Sequence, residues 1–454
     1  MAEFQNPRSE TTTLLIHRTI RRKLEWILLL GLMLAACAEF VARGPIRFSR
    51  ARDFNDFIPL YIQAQAWTRG LDPYSPANLV ALWPKGARQF SFLTKDLSNG
   101  SLVLNRGIPA AYPPTMLALL APISLLPWPV AHALWLIINI VVFGVTVASL
   151  LYVAGHRLHG EQGYLFVALT LALAPFHTGL AAGSIAIVAV GLSAWAVLAA
   201  ARQRDLMAGI LIGAAAGLKP QIGLPFLAYY SLRRRWHIFS SAAILVGVLA
   251  AVAVVRLAVS HTAWIASYVE DNRIVFAKGS LADFTESNPI RHGLVNLQLP
   301  LYNLLHDRAW ANILAMVVAG VLGLMWLFLL LRRAFAGTEL LALSTLLVLS
   351  LLPVYHRLYD ASLLVFPLAW SLSGSTHLGR RLERIAFFLI LLFLVPAGSL
   401  LEQAPPVGWL LRPQHEWWWT DVLMPCQAWG ILLLSIVLLE AMRTSRYGTS
   451  HTST

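Results

Sequence analysis

The sequence predicts an all-α polytopic membrane protein with about twelve transmembrane helices. Three observations carry that expectation. Of 454 residues, 57% are hydrophobic and only 13% are charged, more apolar side chain than a water-facing surface of this size tolerates. The apolar residues gather into repeated stretches, many near the ~20 residues that cross a bilayer. The 35 basic residues exceed the 22 acidic ones, giving a net charge of +13, and recur in tight clusters between those stretches. Clusters so placed read as cytoplasmic turns under the positive-inside rule, not as a nucleic-acid-binding surface. Two cysteines exclude a disulfide framework and a four-thiolate zinc site.

The first element follows Arg18, Arg21, Arg22 and Lys23 and runs from Leu24 to Val41, a helix held with its N-terminus in the cytoplasm. Leu34-Ala35-Ala36-Cys37 has the form of a lipoprotein cleavage box. The long basic leader and the membrane-embedded remainder favour an uncleaved helix instead. Later clusters set the parity of the crossings: Arg202 with Arg204, Arg233 to Arg235, Arg332-Arg333, Arg380 with Arg381 and Arg384, and Arg443 with Arg446. Spans consistent with them are 129–154, 162–176, 183–201, 205–218, 220–232, 236–258, 309–331, 338–354, 359–373, 384–401 and 423–441.

This leaves cytoplasmic tails at 1–23 and 442–454 around one transmembrane domain, 24–441, in the plasma (inner) membrane. The connections 44–111, 259–308 and 402–422 face outward. Residues 113–126 are apolar but short and bounded by prolines, which predicts a re-entrant or interfacial helix. Several spans of 13 to 16 residues, such as 205–218, predict tilted or broken packing around a cavity. No Gly-rich phosphate loop follows a predicted strand.

The first outer loop carries the most informative residues. Asp53 and Asp56 stand just beyond the first helix, and residues 60–74 read as an amphipathic interfacial helix stopped by Gly70 and the turn at Pro73-Tyr74. The acids either cap that helix, pair with Arg50 and Arg52, or do chemistry. Lys219 interrupts an apolar run just before Pro220 and either snorkels or meets an anion. The turn from Pro353 to Asp360 holds His356 and Arg357, with Asp360 available to pair with Arg357. Trp417 to Trp419 read as an interfacial belt. His156, His159 and His177 lack a metal-ligand spacing.

Asp56 ahead of an aromatic-rich helix, Gly70 to Tyr74, Tyr112-Pro113-Pro114, Leu126-Pro127 with Trp135 and Asn139, Gly217 to Pro220, Asn296-Leu297-Gln298 and Tyr355-His356 occur in one order. In that order they resemble the polyprenol-phosphate-mannose-dependent mannosyltransferases, family 87 of the C-type membrane glycosyltransferases. The resemblance covers roughly residues 53–370. It implies a C-type fold with interfacial helices in the first outer loop, a polyprenyl-phosphate sugar donor, and a glycolipid or glycan acceptor arriving from the outer face.

The family carboxylate falls on Asp56, five residues before Tyr61, with Asp53 as the alternative. It serves as general base, because an attacking sugar hydroxyl must lose its proton. Lys219, His356 and Arg357 are expected to meet the phosphate of the leaving group. Tyr61, Tyr112, Arg291 and Asn296 are expected beside the substrates. The family does not decide on a divalent metal, so no cofactor is assigned. A transporter or flippase, or an envelope assembly protein, would share the hydropathy. A transporter, however, should gather its polar residues near the bilayer midplane, and here they map to the outer edge.

Overall fold

A computed structural model describes residues 7–50, 56–85, 93–95, 102–104, 112–158, 160–332, 338–374, 379–403 and 416–445. The chain opens with α1 (Pro7–Arg43), α2 (Pro45–Arg50), α3 (Phe57–Thr68) and α4 (Pro76–Ala81), followed by strands β1 (Leu93–Lys95) and β2 (Leu102–Leu104). Next come α5 (Pro114–Ser124), α6 (Trp128–Ala154), α7 (Glu161–Ala172), α8 (Ala174–Ala182), α9 (Ile185–Ala201), α10 (Asp205–Leu218), α11 (Pro220–Leu232), α12 (Trp236–Val259) and α13 (Trp264–Val275). The remainder is α14 (Gln298–Leu305), α15 (Arg308–Leu331), α16 (Glu339–Ser350), a 3-10 segment (Leu358–Leu364) running into α17 (Val365–Leu372), α18 (Gly379–Leu391), α19 (Ala397–Gln403) and α20 (Cys426–Thr444).

The chain is an all-α, multi-span membrane protein. Among the described residues, five stretches are long and apolar enough to cross a bilayer: Arg22–Arg50, α6, α12, α15 and α20. The pair α7 and α8, bent by 44°, makes a sixth if counted as one span. The bend falls at Leu173, whose extended backbone precedes a helix with proline in its first turn. The outer faces of α12 and α15 expose Ile244, Val248 and Val255, and Val321, Leu324 and Phe328, as lipid-facing helices do. By contrast, α9, α16 and α17 are buried nearly throughout.

Several boundaries differ from the sequence reading. The span expected at 384–401 is broken into α18 and α19 around residues 392–396, where Pro396 cannot extend a helix. The span expected at 162–176 continues to Ala182 as the bent pair. Residues 113–126 form only the 11-residue α5, packed against α3, α10 and α12. The connection between α4 and α5 also contains a short antiparallel ladder, with Leu93 opposite Leu104, whereas the other regular elements among the described residues are helices.

The helix after Asp56 corrects the expectation of an amphipathic interfacial element. Every residue of α3 from Phe57 to Ala64 is buried, Gln63 included. Its polar tips find internal partners: the Tyr61 hydroxyl donates to the Leu126 carbonyl at 2.8 Å, and Trp67 Nε1 to the Ala253 carbonyl at 3.2 Å. Phe57 stacks on Trp135 with ring centroids 4.7 Å apart. With its Tyr61 and Trp67 tips hydrogen-bonded internally, α3 is a core helix, and it fixes the residue at its start.

Two local features set the position of α10. Helix α10 ends at Lys219, whose extended backbone (φ −145°, ψ 93°) is what a residue before proline adopts, and Pro220 then opens α11. Helix α10 also lies close against α12 through Gly209, where an added Cβ would stand 1.8 Å from Ser241 Oγ and 2.4 Å from the Ile238 carbonyl oxygen.

Candidate active site

Asp56 occupies the N-cap position of α3 but makes no side-chain capping bond, which removes the capping role the sequence left open. Its backbone N–H donates to the Ala182 carbonyl at 2.6 Å, anchoring the start of α3 to the end of α8. The residue is 6% exposed, and Oδ2 has no hydrogen-bond partner. Burial pushes the carboxyl up to about 6, opposed by the positive charges of Arg357 and Lys219 and by the Tyr359 hydroxyl. A carboxylate so tuned is ionised at neutral pH yet basic enough to take a proton.

A cavity of about 410 Å³ opens onto Asp56. Polar lining comes from Asp56, Tyr112, Lys219, Tyr355, Arg357 and Tyr359. Apolar lining comes from Leu224 of α11 and from Val275, Phe276 and Leu281 at and beyond the end of α13, with the Phe276 ring 6.3 Å from that of Tyr355. Tyr268 and Asn272 of α13 complete one wall.

The break between α10 and α11 brings Lys219 to the cavity, where Nζ lies 4.9 Å from the centroid of the Tyr359 ring. Its ion-pair partner is Asp360, in the 3-10 segment. This corrects the pairing expected between Asp360 and Arg357: the Asp360 carboxylate takes Lys219 on Oδ1, with His356 Nδ1 at 3.2 Å from Oδ2. From Arg357 it accepts only the backbone N–H, also at 3.2 Å. The Arg357 guanidinium turns away from Asp360, Nε donating to the Tyr355 hydroxyl at 3.0 Å and Nη2 to the Leu281 carbonyl at 3.4 Å. Among the described residues, no carboxylate lies within ion-pair distance of it.

The segment between α13 and α14 holds this turn in place. Leu294 and Arg357 form an isolated antiparallel bridge, Val295 N–H donates to the His356 carbonyl at 3.1 Å, and Leu297 N–H to the Leu352 carbonyl at 3.0 Å. Upstream, the Asp283 carboxylate accepts from Gly279 N–H at 2.6 Å, Thr285 N–H at 3.1 Å and Thr285 Oγ1 at 2.9 Å. The negative form of Asp283 is thereby favoured, and its carboxyl sits below the ordinary range.

Of the residues singled out in the sequence, Asp56, Tyr112, Lys219 and Arg357 share the cavity wall. His356 is buried one layer back against Asp360, with Nε2 unpartnered. Tyr61 is locked to Leu126, Asn296 Nδ2 donates to Gln298 Oε1 at 2.5 Å, and Arg291 lies 3.6 Å from Glu286. None of those four lines the cavity. Asp53 lies outside the described residues. Tyr268, Asn272, Tyr355 and Tyr359 were not anticipated, although the tyrosines flanking His356-Arg357 were a visible signal. No cluster of three or more His, Cys, Asp or Glu side chains is placed to hold a metal ion among the described residues.

The sequence model of glycosyltransferase family 87 matches residues 110–367, more than half of the chain. The chain belongs to glycosyltransferase family 87. No curated protein matches it, and no solved structure does. This family 87 membrane glycosyltransferase carries Tyr112, Lys219, Arg357 and Asp360 inside the matched segment, while Asp56 precedes it. Helix α3 is what brings Asp56 to the cation-bearing wall.

Proposed function

We propose that this family 87 enzyme transfers a sugar, with mannose the leading candidate, from a polyprenyl phosphate to a hydroxyl of a glycolipid or glycan, with inversion, at the outer face of the plasma membrane. Asp56 is the general base. The acceptor oxygen forms the new bond to the anomeric carbon as its proton passes to Asp56, and the bond from that carbon to the phosphate oxygen breaks with its electron pair leaving on the polyprenyl phosphate. No enzyme nucleophile is required, because the leaving group is already activated. Arg357 and Lys219 offset the charge that grows on it, with His356 in the layer behind. The charge clusters support about twelve crossings of a C-type fold with both termini in the cytoplasm.

The observation that carries this reading is the shared cavity: a buried carboxylate with an open oxygen and two cations line one space together with apolar side chains. A phosphate suits the cationic wall, and the first isoprene units suit Leu224, Val275, Phe276 and Leu281. The test is to incubate purified protein with polyprenyl-phosphate mannose and a glycolipid acceptor and follow release of free polyprenyl phosphate. Release by the native enzyme and its loss in Asp56→Asn support the proposal. Vectorial uptake into vesicles without release would identify a transporter and overturn it.

A further inference from the structure

The Asp360 carboxylate uses both oxygens. Oδ1 takes the Lys219 ammonium, while Oδ2 faces His356 Nδ1 and accepts the Arg357 backbone N–H. The three side chains are nearly sealed, at 8% exposure for Lys219, 2% for Asp360 and 1% for His356. An ionised carboxylate only accepts hydrogen bonds, so His356 presents Nδ1–H to Asp360. Lys219 therefore reaches the cavity already paired with a carboxylate from behind, whereas the Arg357 guanidinium donates to the Tyr355 hydroxyl and the Leu281 carbonyl and meets Asp56 only through a longer-range attraction.

We propose that Asp360 is a positioning residue for the transfer reaction: it fixes the Lys219 ammonium on the cavity wall and the His356 ring behind it, and leaves Arg357, which has no carboxylate at ion-pair distance among the described residues, as the cation that meets the donor phosphate. The inference rests on the function proposed above. A buried ion pair with a purely structural role would hold the same geometry, so the test must read something that stability alone does not move.

Asp56 supplies that readout, because its ionisation reports the charges around it. The groups facing it are Lys219 from the α10–α11 break, Tyr355, Arg357, Tyr359 and Asp360 from the turn after α16, and Tyr112 ahead of α5. Removing a negative neighbour favours the ionised base, and removing a positive one disfavours it. In an assay of polyprenyl phosphate release against pH and donor concentration, Asp360→Asn should move the acidic limb of kcat/KM to lower pH, by about half a unit. Lys219→Met should move it to higher pH by a similar amount, and the double variant should return it close to the native position.

Each single variant should also lose roughly tenfold in kcat/KM for the donor, and the double variant should lose no more than the worse single, since both changes dismantle one unit. Asp360→Asn leaves a buried ammonium unpaired and can fail to fold. Lys219→Met and the double variant, which leaves no charge on either side chain, then decide the matter. Additive losses, or an acidic limb that stays put in Lys219→Met, would overturn the role assigned to Asp360. A native enzyme that releases no polyprenyl phosphate would instead overturn the proposed function.

Discussion

Replacing Asp56 by Asn should abolish transfer and stabilise the protein in the same molecule. The side chain is 6% exposed, and burial raises its carboxyl from 3.8 to about 6. That difference corresponds to about 3 kcal/mol of folding free energy forfeited by the ionised group. The sign follows from the direction. A folded-state value above the unfolded one means the penalty is absent below about pH 4, grows between 4 and 6, and is borne in full above 6.

Asparagine keeps the shape without the charge, so above pH 6 Asp56→Asn should melt a few degrees higher than the native enzyme, and near pH 4 the two should coincide. Turnover should fall by about 10²- to 10⁴-fold, the range for loss of a general base. The native rate carries the same signature, since at pH 5 only about one-tenth of Asp56 would be ionised, against more than nine-tenths of an ordinary aspartate. Thermal melting in detergent at several pH values, paired with the release assay, measures both. Native-like turnover in Asp56→Asn would refute its role as base, and a melting difference that ignores pH would refute the buried charge.

Arg357→Ala should cost about 100-fold in kcat/KM for the donor, as loss of one leaving-group contact does, with melting little changed; an unaltered donor dependence in initial-rate kinetics would place the phosphate elsewhere. Gly209→Ala should destabilise the α10–α12 contact by about 1–3 kcal/mol, because the Ile238 carbonyl cannot yield as a side chain can; a melting curve checks it. Asp283→Ala removes three hydrogen bonds to a carboxylate and should cost about 2 kcal/mol or more above pH 4. Because that carboxyl is lowered on folding, the deficit should shrink as the pH falls through its depressed value, which chemical denaturation at two pH values resolves.

The membrane class was legible because hydropathy acts along the chain: α6, α12 and α15 begin and end within a residue of the spans read from sequence. The broken segments were harder. A proline at 396 or in the first turn of α8 marks a place where a helix can stop, but neighbouring helices decide whether the next segment continues in line or turns. Helix α3 was misjudged because Gln63, Gln65 and Thr68 suggest a wetted face, whereas the fold supplies carbonyls and rings that let almost the whole helix be buried.

At the site, Asp56, Lys219 and Arg357 were legible as charges where an apolar chain should resist them. Sequence could not say that Asp360 would choose Lys219, 141 positions away, over Arg357, three positions away. Pairing depends on where the α10–α11 break and the 3-10 segment come to rest. The sequence by itself determined that this is a helical membrane protein with a few ionisable groups set among apolar runs, because transfer free energy and charge placement are properties of the chain. Which carboxylate stands open to the cavity, which is spent on an ion pair, and which cation is left without a carboxylate at ion-pair distance were decided only by the tertiary structure, since they depend on distances and burial between residues far apart in sequence.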